Sequence, residues 1–107
     1  MNTVEIFHNK SWKITGFKAV GHTEDLIVCN TISVILQSGI YGVLDYLNRP
    51  LKYTLDRENG ITFMKLEGTP TAKTEVILGA TITSLIIFSK DFEEVEVLCD
   101  GKSINKF

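Results

Sequence analysis

The chain has 107 residues, 44% hydrophobic and 22% charged, which fits one globular domain over residues 1–107, neither disordered nor membranous in composition. Eleven basic against thirteen acidic residues leave a formal charge of −2, so no bulk field draws in nucleic acid. Two cysteines and two histidines with no CxxC spacing argue against a zinc site, and neither metal nor cofactor is expected.

The opening MNTVEIFHNK carries no basic stretch followed by an apolar one. The expectation is therefore no secretion signal and a reducing cytoplasmic location, in which Cys29 stays a free thiol. Val4, Ile6 and Phe7 suit a first strand that ends at a turn over His8, Asn9 and Lys10. In SWKITGFKAV, Trp12, Ile14 and Gly16 are expected on one face of a second strand, with a twist or bulge near Gly16. The two segments read as an antiparallel hairpin.

From Leu26 to Leu47 the sequence is almost continuously apolar, far longer than a strand. Thr23 or Asp25 can cap a helix there, and Pro50 stops it at or before Arg49. With only Asn30, Gln37, Ser38 and Asp45 as clear polar interruptions, this helix is expected to be buried on more than one face. Alternating runs at Leu51–Asp56 and Ile61–Glu67 flank Arg57-Glu58-Asn59-Gly60, and Asn-Gly between such runs signals a hairpin. Pro70 and a threonine cap open a second helix that reaches about Lys90. Its apolar run from Val76 to Phe88 is too short for a bilayer and is interrupted by Thr and Ser, so no membrane segment is expected. EEVEVLCDG alternates as a last strand, and KSINKF reads as a frayed tail. The fold class is α+β in the order β-β-α-β-β-α-β, two helices packed on a mostly antiparallel sheet.

His22 and Cys29 are separated by the six residues TEDLIV. Cys29 falls near a helix N-terminus, where unpaired N–H groups and the positive end of the helix dipole favour a thiolate. Gly21 permits the bend that would return the His22 ring toward that helix start. Such a pair suits acyl transfer, with sulfur as nucleophile, imidazole as base and acid, and nearby backbone N–H groups for the oxyanion. Ser33, four residues on, lies about 40° around the helix from Cys29, beside the thiol. The plainer reading is that Cys29 is a core residue and His22 a turn residue, since cysteine is among the most buried residue types. For Cys99, which closes the last strand, and His8, at a hairpin turn, that structural reading stands alone.

ITGFKAVGH followed by DLIVCNTIS resembles the bacterial ribosomal-processing cysteine protease family, Prp, in which an apolar strand ends in Gly-His-Ala and a loop leads to Asp-Ile-Val-Cys-Ala-Ala-Val-Ser. Ile14, Phe17, Gly21 and His22 match the first part; Val28, Cys29 and Ser33 match the second, with Ile32 a mild substitution. The loop here is several residues shorter. Leu26 stands where the family has its aspartate, with Asp25 one position earlier, and Asn30 and Thr31 replace two alanines. The resemblance implies a cysteine endopeptidase with Cys29 as nucleophile and His22 as base and acid, supported by Asp25, Ser33 and Gly21. It further implies a substrate, the N-terminal extension of the twenty-seventh large-subunit ribosomal protein, with aromatic and apolar residues before the scissile bond. A groove beside the first helix and a homodimer are also expected, with no membrane or direct nucleic-acid partner. The alternative is a non-catalytic, ribosome-associated or partner-binding module, and a third possibility is a purely structural domain.

Overall fold

A computed structural model describes residues 2–21 and 25–105. Strands β1 (Asn2–His8) and β2 (Ile14–Val20) form the first hairpin, followed by helix α1 (Leu26–Tyr41), which runs into a single π-helical turn at Gly42–Tyr46. Then come β3 (Leu51–Asp56), β4 (Ile61–Leu66), helix α2 (Ala72–Ser89), β5 (Val95–Cys99) and a short β6 (Lys102–Ser103). The sheet order is β3-β4-β2-β1-β5-β6. All neighbouring pairs are antiparallel except β1–β5, which is parallel. The expected order of elements and the mostly antiparallel sheet are those observed.

Five local features differ from the expectations. Trp12 is not on the inner face of β2; it sits in the hairpin turn with φ 61° and is 68% exposed. The first helix does not stay α-helical to Leu47, because the Leu47 N–H reaches back five residues to the Gly42 carbonyl at 3.0 Å. The tail is not frayed before residue 105. β6 pairs with β5, and buried Asn105 accepts from the Val97 N–H at 2.8 Å and donates to Val95 O and Ser89 Oγ, both at 2.9 Å. Finally, the 18 residues of α2 extend beyond the apolar run at both ends, so both helical segments are long and apolar enough to cross a membrane. In the fold each lays a buried stripe on one face of the sheet, and α1 is buried along that stripe rather than on more than one face as expected, leaving Leu26, Ile27 and Val34 exposed.

Those stripes are Val28, Ile32, Leu36 and Ile40 from α1 and Leu78 and Leu85 from α2, all 5% exposed or less. They cover a cross-strand row in which Phe17 pairs with Ile6 on one side and Met64 on the other, all buried. Truncating Phe17 to alanine would cost about 3–5 kcal/mol through lost burial and the cavity left behind. The bulge expected near Gly16 is present: Phe7 faces Gly16 but His8 faces Ile14, leaving Thr15 as the extra residue. A Cβ on Gly16 would collide with the Met64 carbonyl. The helices cross where Gly39 meets Thr81 and Gly42 meets Ile77, each so closely that a Cβ would come within 3 Å of its neighbour. Beyond the π-helical turn, Arg49 Nη2 donates to the carbonyls of Glu67 and Thr69, tying this chain segment to the β4–α2 connection.

Candidate active site

Helix α1 begins at an aspartate cap. Asp25 has extended backbone, and its carboxylate accepts from the N–H groups of Ile27 at 2.9 Å and Val28 at 3.4 Å. Its carbonyl takes the Cys29 N–H at 3.1 Å. Of the two caps expected from sequence, Asp25 is the one observed. The arrangement has a chemical consequence: the Ile27 and Val28 N–H groups, two of the donors a helix start could offer to a ligand, are already bonded to the cap, and the Cys29 N–H closes the first helical turn. Cys29 is the fourth residue of α1 and is half-buried.

Cys29 opens onto a cleft of about 480 Å³ between α1 and the end of the sheet. One wall is a helical stripe of Asn30, Ser33, Val34, Gln37 and Tyr41, spaced so that they share a face. The opposite side comes from the sheet: Asn2 at the start of β1, Ala19 and Gly21 around the end of β2, and the β3–β4 hairpin from Leu55 to Thr62. Gly21, with φ 123°, adopts a backbone that a Cβ disfavours, and its N–H donates to the Gly60 carbonyl at 3.0 Å, fixing β2 against the hairpin turn. Asp56 and Arg57 are the charged residues among the described lining. Asp56 accepts from Asn59 through the side-chain amide at 2.8 Å and the backbone N–H at 3.1 Å. These bonds, the side-chain one foremost, hold its carboxyl below the usual carboxylate range.

Gly21, Cys29 and Ser33 thus share one cleft. Asp25 does not line it and serves as the helix cap. His22 lies outside the described residues. Asn2, Gln37, Tyr41 and Arg57 were not singled out from sequence. For the helical ones the signal was present as the i, i+3, i+4 spacing from Asn30 to Tyr41, but Asn2 and Arg57 join only through strand pairing.

The other cysteine has its own histidine. Cys99 Sγ lies 3.3 Å from His8 Nδ1, at the end of the parallel β1–β5 pair and away from the cleft. Burial, followed by the nearby charges of Asp100 and Glu5, pushes the Cys99 thiol up from its ordinary value.

No protein-family model matches the chain, and no curated protein matches it in sequence. Solved structures do. The ribosomal processing protease Prp from S. aureus, in complex with a covalently linked product peptide, superposes with a TM-score of 0.84 at 23% identity, covering 94% of this chain and all of that one. The fold is that of Prp. A second Prp structure from S. aureus, with a substrate peptide, gives a TM-score of 0.83 at 19% identity over 94% of this chain and 100% of that chain. A Streptococcus mutans protein gives 0.80 at 13% identity over 92% and 96%. At such identities the likeness is one of backbone architecture, and it is the architecture implied by the Gly21-His22 and Val28-Cys29 motifs.

Proposed function

We propose that the chain is a cysteine endopeptidase that removes an N-terminal extension from a large-subunit ribosomal protein. The observation that carries this reading is Cys29, at the start of α1, opening onto a peptide-sized cleft in a Prp fold. The stripe from Asn30 to Tyr41 covers eleven helical steps, about 16 Å. That length matches about five residues of extended chain. The amides of Asn30 and Gln37 and the hydroxyl of Ser33 suit a substrate main chain, while Val34, Tyr41 and Leu55 suit apolar and aromatic side chains.

In the chemistry proposed, Cys29 Sγ, having given its proton to the His22 imidazole, bonds to the carbonyl carbon as the C=O π pair moves onto oxygen. Collapse of that intermediate breaks the C–N bond, and the amine leaves with the proton returned by the imidazolium. Water then adds to the thioester, giving a proton to the imidazole. Release of the carboxylic acid restores the thiol. Asp25 supports this site indirectly, by setting where α1 begins, and Ser33 by bonding substrate or a neighbouring group. Pairing of two copies belongs to the same reading; its support is the pair of exposed apolar side chains Tyr46 and Val76, 84% and 71% exposed, bordering one shallow cleft. Sedimentation velocity reads it.

One observation favours a second reading, a peptide-binding module without catalysis: the Ile27, Val28 and Cys29 N–H groups are bonded to Asp25. A cleavage assay separates the two. With a peptide spanning the extension junction of the same organism's ribosomal protein, wild type should cleave and Cys29→Ala should lose activity by about a thousandfold or more. Equal cleavage by both proteins would end the nucleophile assignment, and binding without cleavage by wild type would favour the module.

A further inference from the structure

A carbonyl attacked by Cys29 needs a donor for the charge that develops on its oxygen. The helix start is an obvious source, but Asp25 holds its Ile27, Val28 and Cys29 N–H groups. On the other side of the cleft stands Asn2, only 8% exposed, whose side-chain Nδ2 is buried and has no hydrogen-bond partner. Among the described residues, Arg49 Nη1 is the other such atom, and it lies outside the cleft. A buried amide donor left unpaired is unfavourable, whereas an apolar side chain of the same shape avoids that cost.

The backbone under Asn2 is firmly held. Its N–H donates to the Glu94 carbonyl at 2.8 Å, and its Cα pairs with Val95 across the parallel ladder. It sits one residue beyond the Thr3–Val20 pair, as Gly21 does on β2, so it occupies the sheet end that faces the cleft. Rotation of the amide about its last torsion exchanges Nδ2 and Oδ1 within one volume, so either branch of the side chain can carry the N–H. We propose that the Asn2 amide donates to a carbonyl oxygen of a peptide held in the Cys29 cleft. On the protease reading of this site, on which the catalytic part of the inference rests, that oxygen is the scissile one. The bond then strengthens as the oxygen becomes an oxyanion.

The test uses Asn2→Leu, which keeps the branched shape and removes the donor, and Asn2→Ala, which only removes atoms. Thermal unfolding, steady-state cleavage, and peptide affinity on a Cys29→Ala background are measured for each. The expected result is that stability and function move in opposite directions. Asn2→Leu melts at or above the wild-type temperature, while kcat falls by about 100- to 1000-fold with KM little changed. Unchanged activity in a stable variant overturns the proposal, since the unpaired amide would then be incidental. Parallel loss of stability and activity also overturns it, because that marks a packing role; if Asn2→Leu does not fold, Asn2→Ala carries the same comparison. If wild type cleaves nothing, the protease reading fails by itself. Asn2 then stands or falls on peptide affinity, which Asn2→Leu must weaken several-fold.

Discussion

The molecule holds two cysteines in contrasting settings. Cys99 has a histidine nitrogen 3.3 Å from its sulfur, yet it lies at a sheet end away from the Cys29 cleft, with its thiol pushed up by burial and by Asp100 and Glu5. Cys29 stands in the first turns of a helix, beside space for a peptide and among amide and hydroxyl side chains. A thiol touching an imidazole is not thereby a nucleophile; a suitable electrostatic setting and room for the substrate are needed as well. By that standard the Cys99–His8 contact ties the ends of β1 and β5 together, and Cys29 is the thiol proposed as nucleophile.

The sharpest way to break this contrast is thiol labelling of the folded protein near neutral pH, read by mass spectrometry at each cysteine. Cys29 should react at least about tenfold faster than Cys99, because the thiolate is the reacting form and Cys99 is held protonated. Faster labelling of Cys99 would invert the assignment. Cleavage by Cys99→Ser should stay within about twofold of wild type, as expected for a residue remote from the reacting atoms.

The Cys99 end has its own large effect, on stability. Asn105→Ala leaves the Val97 N–H and Val95 carbonyl without their side-chain partner and should lower unfolding free energy by about 2–3 kcal/mol in a urea titration. Asp25→Ala, at the Cys29 end, should cost about 1 kcal/mol, the usual effect of losing an N-cap. The smallest effect is on pH dependence. Because the folded state holds the Cys99 proton more tightly than the unfolded chain, the unfolded state deprotonates first as pH rises through about 9. Stability should therefore decline above that pH, and Cys99→Ser should flatten the decline in urea midpoints measured between pH 8 and pH 10.

Much of the fold is legible in local chemistry. Asn59-Gly60 marks the second hairpin, Thr71 caps α2, and the alternation in VEVLC marks β5. What escapes local reading depends on distant partners. β6 looks like a polar tail until Asn105 is seen bonding Ser89, Val95 and Val97. The π-helical turn begins at Gly42, which packs on Ile77 of α2, a contact with no mark in the sequence around it. Trp12 continues the alternation of β2 but lies in a left-handed turn, beside His8 at 5.8 Å between ring centroids. At the site, Gly21, Cys29 and Ser33 come together as their spacing suggests. Asn2 joins them only because β1 lies at the centre of the sheet.

The parallel β1–β5 pairing bears on how the protein comes into being. Residue 2 lies beside residue 95, and Val4 and Ile6 lie beside Val97 and Cys99. Such remote pairings carry a loop-closure cost in entropy and slow folding relative to local hairpins and helices. The β1–β2 and β3–β4 hairpins are local and can form early. Asn2 takes its Glu94 and Val95 partners only when β5 is docked, so one wall of the cleft depends on a pairing between distant parts of the chain.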